Sequence, residues 1–571
     1  MRPRAARLTY PPVLYRPRSN PRALQRLAQI SRISKIALRL PPAAMKEHHQ
    51  RKRAIALRQP QITKLANIFA VRNAFIGNKK GTRKDIHRPQ RTLKNMTAQP
   101  PTASSQFEAI AKREQGLQRG LTAAQLSMIA IGGAIGTGLF LGSSFAIGFA
   151  GPSVLISYTI GALITLLLMG CMAEMTVAHP TAGSFGAWAE HYLSPLAGFL
   201  LRVAYWAGVV LALGTEVTAI AVYMGFWFPH VPGWTWIIGF SAVLVTVNAF
   251  NVRFFGAVEY IFSTLKVAAI IGFLVLGAWV VLTAAHSQAT GAPIGFHNYT
   301  AFGGFFPHGI RGTWTAVLVA LFSYFSIEMI AVAAGEAKDP QRAITHAFRS
   351  TMLRLALFYI LTLALILAIV PWTMNASGAA QSPFVIVMQR TGIAGAAGVV
   401  NFVILIAALS AMNSQLYIVA RMLFSLSRAG FAPRSLGHLT KHGVPVRALL
   451  VSTVGIAIAA VLNLRYHEHS FLLMLALSMF GPMFTWLMIF VTHLRFRRHH
   501  QGKALAFRMW GFPYTSLLGA ALMAAALITT LFTEAFRPTL LYGIPFTALL
   551  TAAYFLRRSR IHTTTEETIP A

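Results

Sequence analysis

The sequence predicts an all-α integral membrane protein: twelve transmembrane helices in a five-plus-five inverted repeat, with the first and sixth helices broken. Three observations carry that expectation. Hydrophobic residues make up 55% of the chain and charged residues 12%, with a mean hydropathy of +0.55, whereas a soluble globular chain carries about 25% charged residues. Apolar runs of membrane-crossing length follow one another from Leu121 to the C-terminal tail. The first and sixth of these runs are interrupted in mid-span, the first by glycines and the other by a polar-aromatic stretch.

The chain opens on 95 residues with no run near the roughly 20 apolar residues a span requires and no sustained helical or strand period. The formal net charge is +36, and +22 of it falls in this first sixth. An Arg-rich transit peptide, a basic arm for anionic headgroups or nucleic acid, and upstream sequence read from a start assigned too early all fit that composition. A transit peptide would carry more Ser and a more regular amphipathic helix. Met96 opens a polar tail, MTAQPPTASSQFEAIAKREQGLQRGLT, that leads straight into the first span. The third reading is therefore favoured: the segment is given no function, and disorder is expected. The expected organisation is a basic extension at 1–95, a cytoplasmic tail at 96–121, a twelve-helix domain at 122–557 and a cytoplasmic tail at 558–571.

The twelve spans are expected at 123–149, 153–176, 197–226, 234–250, 258–283, 313–334, 350–371, 396–424, 447–463, 471–493, 513–533 and 538–556. Each has about the length needed to cross a ~30 Å hydrocarbon core. Lys and Arg set the orientation. With the N-terminus inside, the external loops hold four (Arg311, Arg390, Arg465 and Arg537) and the internal loops thirteen. An even number of spans then places both termini in the cytoplasm. Phe226-Trp227-Phe228 and Trp234/Trp236 lie at span ends, as interfacial aromatic belts do. Cys171, the only cysteine, lies in an apolar run, so no intramolecular disulfide can form.

The first span reads AAQLSMIAIGGAIGTGLF. It starts as an apolar helix and then meets Gly132, Gly133, Gly136, Thr137 and Gly138. Irregular backbone at membrane depth is tolerated only where it is buried in protein or lines a cavity. A glycine-interrupted span is the best sequence pointer to a transporter's binding site. The bare N–H groups of Gly136-Thr137-Gly138, at a half-helix N-terminus, suit an anionic group. Close helix packing by small residues is the competing reading. The sixth span is interrupted at Phe322-Ser323-Tyr324-Phe325-Ser326, followed by Glu328. If spans one to five and six to ten are repeats, the two interruptions are equivalent. Five is odd, so the second repeat is inverted, with substrate between the broken helices.

Ionisable groups inside spans are costly and are functional candidates by default. Glu216 lies midway along the third span, Lys266 in the fifth, Glu328 and Glu336 in the sixth. For Glu216 and Glu328, a carboxylate capped by neighbouring hydroxyls is an equal structural reading. Desolvation disfavours a charged ammonium, so Lys266 could gain and lose a proton in each cycle; its structural reading is snorkelling to the interface. Glu336 also reads as the internal end of its span, pairing with Lys338 or Arg342. Glu174 near the end of the second span reads the same way.

These stretches resemble the bacterial amino acid permeases of the amino acid–polyamine–organocation (APC) superfamily. The resemblance runs from about Gly116 to the C-terminal tail. It is carried by the ordered set GLQRGLTAAQLSMIAIGGAIGTGLFLGS, GPSVLISY, EMTVAHPTAGSFGAWAEHYLSPLAGF, TEVTAIAVYMGFWFP, VNAFNVRFFGAVEYIFSTLKV, GGFFPHG and GEAKDP. It implies a substrate carboxylate at Gly136, Thr137 and Gly138. It implies the substrate amino group and side chain along Phe322, Ser323, Tyr324 and Ser326. Lys266 then stands where a lysine replaces a sodium ion in proton-coupled members, and Glu216, Glu328 and Glu336 at acidic positions associated with transport. The family's usual Gly-Trp-Asn-Tyr-Trp before the third span reads Leu201-Arg202-Val203-Ala204-Tyr205-Trp206 here, so no particular amino acid is implied.

The expected function is secondary active import of amino acids across the cytoplasmic membrane by alternating access, driven by co-transported protons. An aromatic such as Phe322 or Tyr324 would close over the substrate. An amino acid exchanger is the nearest alternative; a cationic Lys266 would repel sodium. A membrane enzyme would need a nucleophile, acid/base or metal constellation. The sequence has no HExxH, Cys/His cluster or nucleotide loop. A sensor or channel stays open. His179, His191 and His346 are scattered over expected internal loops and are expected to be solvated. No metal or cofactor is implied. The expected partners are an amino acid, protons and membrane lipid, not nucleic acid, and no oligomeric state is read.

Overall fold

The structure, a computed structural model, describes residues 103–113, 117, 121–181, 183–283, 294–336, 356–375, 381–466, 470–500, 505 and 507–566. The chain divides into two units, Met1–Thr97 and Ala98–Ala571, and every described residue belongs to the second. The expectations for residues 1–95, His346, Lys338 and Arg342 lie outside the described residues.

All regular structure among the described residues is helical, as a lipid core demands of an open chain, because helices pair their own backbone groups. Among the described residues, ten helices are long and apolar enough to cross a membrane. A short helix, α1 (Ala103–Arg113), precedes the first of the apolar elements, α2 (Ala123–Ala134). After a break come a π-turn at Gly138–Gly142, α3 (Ser143–Ala150) and α4 (Val154–Ala178). Then follow α5 (Ser184–Tyr192), α6 (Pro195–Gly225), α7 (Gly233–Phe250), α8 (Val252–Thr283) and α9 (Gly309–Tyr324). After a second break comes α10 (Met329–Ala333), with a 3₁₀ turn to Glu336. The remainder is α11 (Ala356–Ile369), α12 (Trp372–Asn375), α13 (Pro383–Arg390), α14 (Ala396–Arg428), α15 (Val446–Ser452), α16 (Val454–Arg465), α17 (Ser470–His499), α18 (Tyr514–Phe532) and α19 (Arg537–Glu566).

The second half of the first expected span and the whole of the second form the apolar run Gly138–Ala178, which turns between α3 and α4 at Gly151, φ +62°. Of the seventh expected span, at 350–371, the described part is the apolar helix Ala356–Ile369.

Burial orders the helices. The hydrophobic window of Gly309–Glu336 is wholly buried, whereas those of α7, α8 and α19 are 22–28% buried. Since all are apolar, the sixth expected span is central and these three face outward. Span α6 is the other hub, packed against α14, α16 and α17. There the backbones nearly touch: a Cβ at Gly455 would lie 1.8 Å from Val210 O, one at Gly481 2.1 Å from Ala204 O, and one at Gly208 2.5 Å from Pro482 Cδ. Small residues permit that approach, and dispersion contacts then hold helices that no hydrophobic force drives together in lipid.

The tail before the first span is not merely polar chain. In α1, Phe107 and Ile110 are buried. The Phe107 ring lies 4.1 Å from that of His179 and 5.5 Å from that of His191, and Arg113 pairs with Glu190 of α5. The two histidines are therefore packed in an aromatic cluster, contrary to the expectation of solvated loop residues. Two apolar positions three apart on α1 give the cluster something to cover.

Candidate functional site

Breaking a helix orphans backbone groups, and buried orphans require partners. In the first span the helix stops at Ala134, bends at Ile135-Gly136 and resumes at Thr137. Tyr359 OH donates to Ala134 O at 2.7 Å. Lys266 Nζ donates to Ile135 O at 2.9 Å. The Thr137 N–H donates to Glu216 Oε2 at 3.4 Å. A cation thus takes a freed carbonyl, and a carboxylate a freed N–H, at opposite ends of one break.

The second break lies slightly later than the sequence suggests. Phe322, Ser323 and Tyr324 still belong to α9, and the turn spans Phe325 to Glu328, with Ser326 at φ +73°. Glu328 sets this boundary, because its Oε1 accepts the Ser326 N–H at 3.2 Å and so replaces the helical carbonyl. Tyr205 OH donates to the same oxygen at 2.6 Å, and Trp486 Nε1 to Oε2 at 3.1 Å. Tyr359 OH also donates to Ser323 O at 2.9 Å. One phenol on α11 therefore clasps both broken helices.

Between the breaks lies a cavity of about 20 Å³, close to one water probe sphere. Of the expected site residues, Gly136, Gly138, Phe322, Ser326, Glu216 and Glu328 line it. They are joined by Gly133, Phe325, Gln415, Ser478 and others. Gly138 is the point of closest approach: a Cβ there would lie 2.7 Å from Ser323 Cα and 3.1 Å from Phe322 Cδ1. Thr137, Ser323 and Tyr324 are buried beside the cavity without lining it. Ser323 Oγ meets Tyr158 OH at 3.0 Å, and Tyr324 OH donates to Tyr158 O. Tyr324 is thus committed to α4, and Phe322 and Phe325 are the aromatics at the cavity wall. Gln415 Nε2 reaches Glu216 Oε1 at 3.5 Å, while Gln415 Oε1 has no hydrogen-bond partner among the described residues.

Lys266 is fully buried, which overturns the snorkelling reading. Glu216 and Glu259 both act on it electrostatically. Glu259, two turns earlier on α8, is fully buried and accepts from Ser263, Ser410 and Asn413. Asn413 in turn accepts from Asn248 Nδ2 at 2.8 Å. Glu336 lies away from the cavity. It pairs with Arg421 of α14, which also stacks on Tyr417, whose OH donates to Glu336 Oε1 at 2.7 Å. Glu174 is likewise held from afar, with His493 Nε2 at 3.1 Å and Arg497 Nε at 2.9 Å. Among the described residues, no group of three or more His, Cys, Asp or Glu could hold a metal ion.

Both broken helices and the cavity between them fall within a stretch of sequence that known proteins share. The Amino acid permease family model matches residues 125–558. The chain belongs to the amino acid permease family. The permease is 36% identical to the uncharacterized amino acid permease YtnA of Bacillus subtilis (strain 168), over 78% of this chain and 96% of the relative. It is 35% identical to the gamma-aminobutyric acid permease of the same organism, over 78% and 95%. It is 38% identical to the aromatic amino acid transport protein AroP of Salmonella typhimurium (strain SL1344), over 73% and 90%. These relatives are named as permeases and transport proteins, not as enzymes.

Sequence reasoning about the permease misses Tyr359, Glu259 and Gln415. Glu259 has a signal that could have found it. It falls seven residues before Lys266, on the same helical face, but an expected span start at 258 makes it look like a boundary charge. The helix begins at Val252. Tyr359 and Gln415 have no local signature, since a tyrosine or glutamine in an apolar run gains its role only from what the fold sets opposite it.

Proposed function

We propose that this permease imports amino acids across the cytoplasmic membrane by alternating access, coupled to protons. The observation that carries the proposal is the cavity at the junction of the two broken helices, with freed backbone donors on one side and an unpartnered acceptor on the other. The substrate carboxylate would take the N–H groups of Gly136, Thr137 and Gly138, and its ammonium the freed carbonyls of the sixth span and Gln415 Oε1. A cavity of about 20 Å³ admits no amino acid as it stands, so Phe322 or Phe325 must swing away for entry and return for occlusion.

The coupling follows from competition. Glu216 already accepts the Thr137 N–H, and two carboxylates cannot share that donor without like-charge cost. A proton on Glu216 removes the conflict and frees the N–H, so the proton binds with the substrate. Lys266, holding the adjacent carbonyl, is the group through which charge at this break is exchanged. Glu328 and Glu336 would serve as further acidic positions of the cycle. The architecture in this proposal has twelve spans in a five-plus-five inverted repeat. The placement of two broken helices around one cavity supports it, as does the apolar helix described at 356–369, within the seventh expected span. The Lys/Arg bias of the loops supports cytoplasmic termini.

The test is uptake of a panel of labelled amino acids by vesicles carrying the purified protein, under an imposed pH gradient. Uphill accumulation that collapses with the gradient is expected. Counterflow without accumulation would assign an exchanger, and no movement of any amino acid would remove the transport reading. Relatives named for an aromatic and for a γ-amino acid leave the side-chain preference to competition within the panel.

A further inference from the structure

A second cavity, of about 640 Å³, lies on the opposite side of α4 from the broken helices, between α4, α11 and residues 507–510 after α17. Its volume falls in the range of about 300–1,000 Å³ typical of small-molecule sites. Leu163 and Leu166 of α4 form one wall and are 40% and 43% exposed; Ile360 of α11 forms the other. From Thr159 to Ala173 the groove follows about 20 Å of helix at 1.5 Å per residue. One leaflet of a ~30 Å core spans about half of that core, so the groove accommodates an acyl chain.

The roof is a built structure. The Met509 N–H donates to Glu174 Oε2 at 2.9 Å, and Met509 O accepts from Arg497 Nη2 at 2.7 Å. The Met509 thioether fills the notch at Gly170, where a Cβ would lie 2.1 Å from its sulfur. These bonds place the exposed Arg508 and Trp510 at the mouth. Arg497 is balanced by Glu174. Arg508 feels the like charge of Arg497 and has no ion pair or hydrogen bond among the described residues. A guanidinium with no ion-pair partner among the described residues, beside an interfacial tryptophan and above an apolar trough, is complementary to a phosphodiester with its hydrocarbon tail.

We propose that this groove binds an anionic phospholipid, its phosphate at Arg508 and one acyl chain between α4 and α11. The net negative headgroup is selected because no carboxylate among the described residues offsets Arg508. The site is separate from the substrate cavity and independent of the coupling ion.

Native mass spectrometry of the full chain in detergent tests it, with phosphatidylglycerol and phosphatidylcholine of identical acyl chains as probes. The first phosphatidylglycerol adduct is expected at about five-fold lower lipid concentration, the contribution of one basic residue near a membrane surface. Arg508→Gln should abolish that difference, and Arg508→Lys should keep most of it. Ala356→Trp, which fills the groove at its α11 wall, should weaken both adducts. Equal binding of the two lipids, a preference that survives Arg508→Gln, or adducts unchanged by Ala356→Trp would each overturn the proposal. Monodisperse behaviour of every variant separates these outcomes from misfolding.

Discussion

Lys266 and Gly138 concentrate the chemistry of the first break. The Lys266 ammonium donates to Ile135 O in a site from which water is excluded, so it holds backbone and charge at once. Lys266→Ala is expected to lose pH-driven accumulation while counterflow of substrate persists, and Lys266→Arg to fail likewise, because a guanidinium does not release its proton. Both are read in the same vesicles, and wild-type pH dependence in both would shift the coupling role to Glu216. Gly138 meets the Ser323 backbone, so a branched side chain must force the broken helices apart. Such overpacking typically costs about 1–3 kcal/mol. Gly138→Val is expected to abolish uptake with membrane insertion retained, as judged by fluorescence size-exclusion of the solubilised protein. Near-normal uptake would remove the site assignment.

At the scale of elements, two links stand out: the Tyr359 clasp and the docking of α1. Tyr359→Phe removes one donor from two buried carbonyls, and leaving buried acceptors unpaired costs about 1–3 kcal/mol. Its expected effect is a lower thermal midpoint together with impaired transport, since the clasp fixes the distance between the two breaks. An unchanged midpoint would make the phenol dispensable. For α1, burial pushes the Glu190 carboxyl up, but its hydrogen bond to Arg113 and the charge of Arg202 outweigh this, and its pKa is lowered overall. A carboxylate with a depressed folded-state pKa stabilises above its unfolded value, near 4.3, and that stabilisation is lost as pH falls through the folded value. The hydrogen-exchange protection of residues 103–113, relative to an unfolded chain at the same pH, should therefore be high at neutral pH and fall below about pH 4, and Glu190→Gln should show the low protection at neutral pH. How much was legible divides along the same line. The glycines at 132–138 and the polar stretch before Glu328 announce broken helices, because a membrane forbids idle irregularity. Tyr359, Gln415 and the Glu336–Arg421 pair were not legible. Each joins residues of different helices, and sequence spacing carries no information about which helix lies opposite. Glu336, at the end of its span, meets Arg421 of a distant helix; its expected partners Lys338 and Arg342 lie outside the described residues.

For the whole molecule, every described span and every candidate site residue follows Met96. A protein beginning at Met96 is therefore expected to insert and to accumulate amino acid as the full chain does, measured per inserted molecule. Insertion without activity would give the first 95 residues a role in transport. The glycine contacts of α6 with α16 and α17 have a consequence for how such a cycle runs. Helices whose backbones touch cannot slide by a side chain's width without collision, so in the proposed cycle these three would serve as a stator, and motion would fall to the pair of broken helices at the centre. A ruler between spin labels on α6 and α17 should then read a constant distance with and without substrate, while one from α6 to α9 changes. Cys171, sealed against Ser516 with no exposed surface, leaves the native chain silent to thiol labels, so such rulers can be placed without first removing a cysteine.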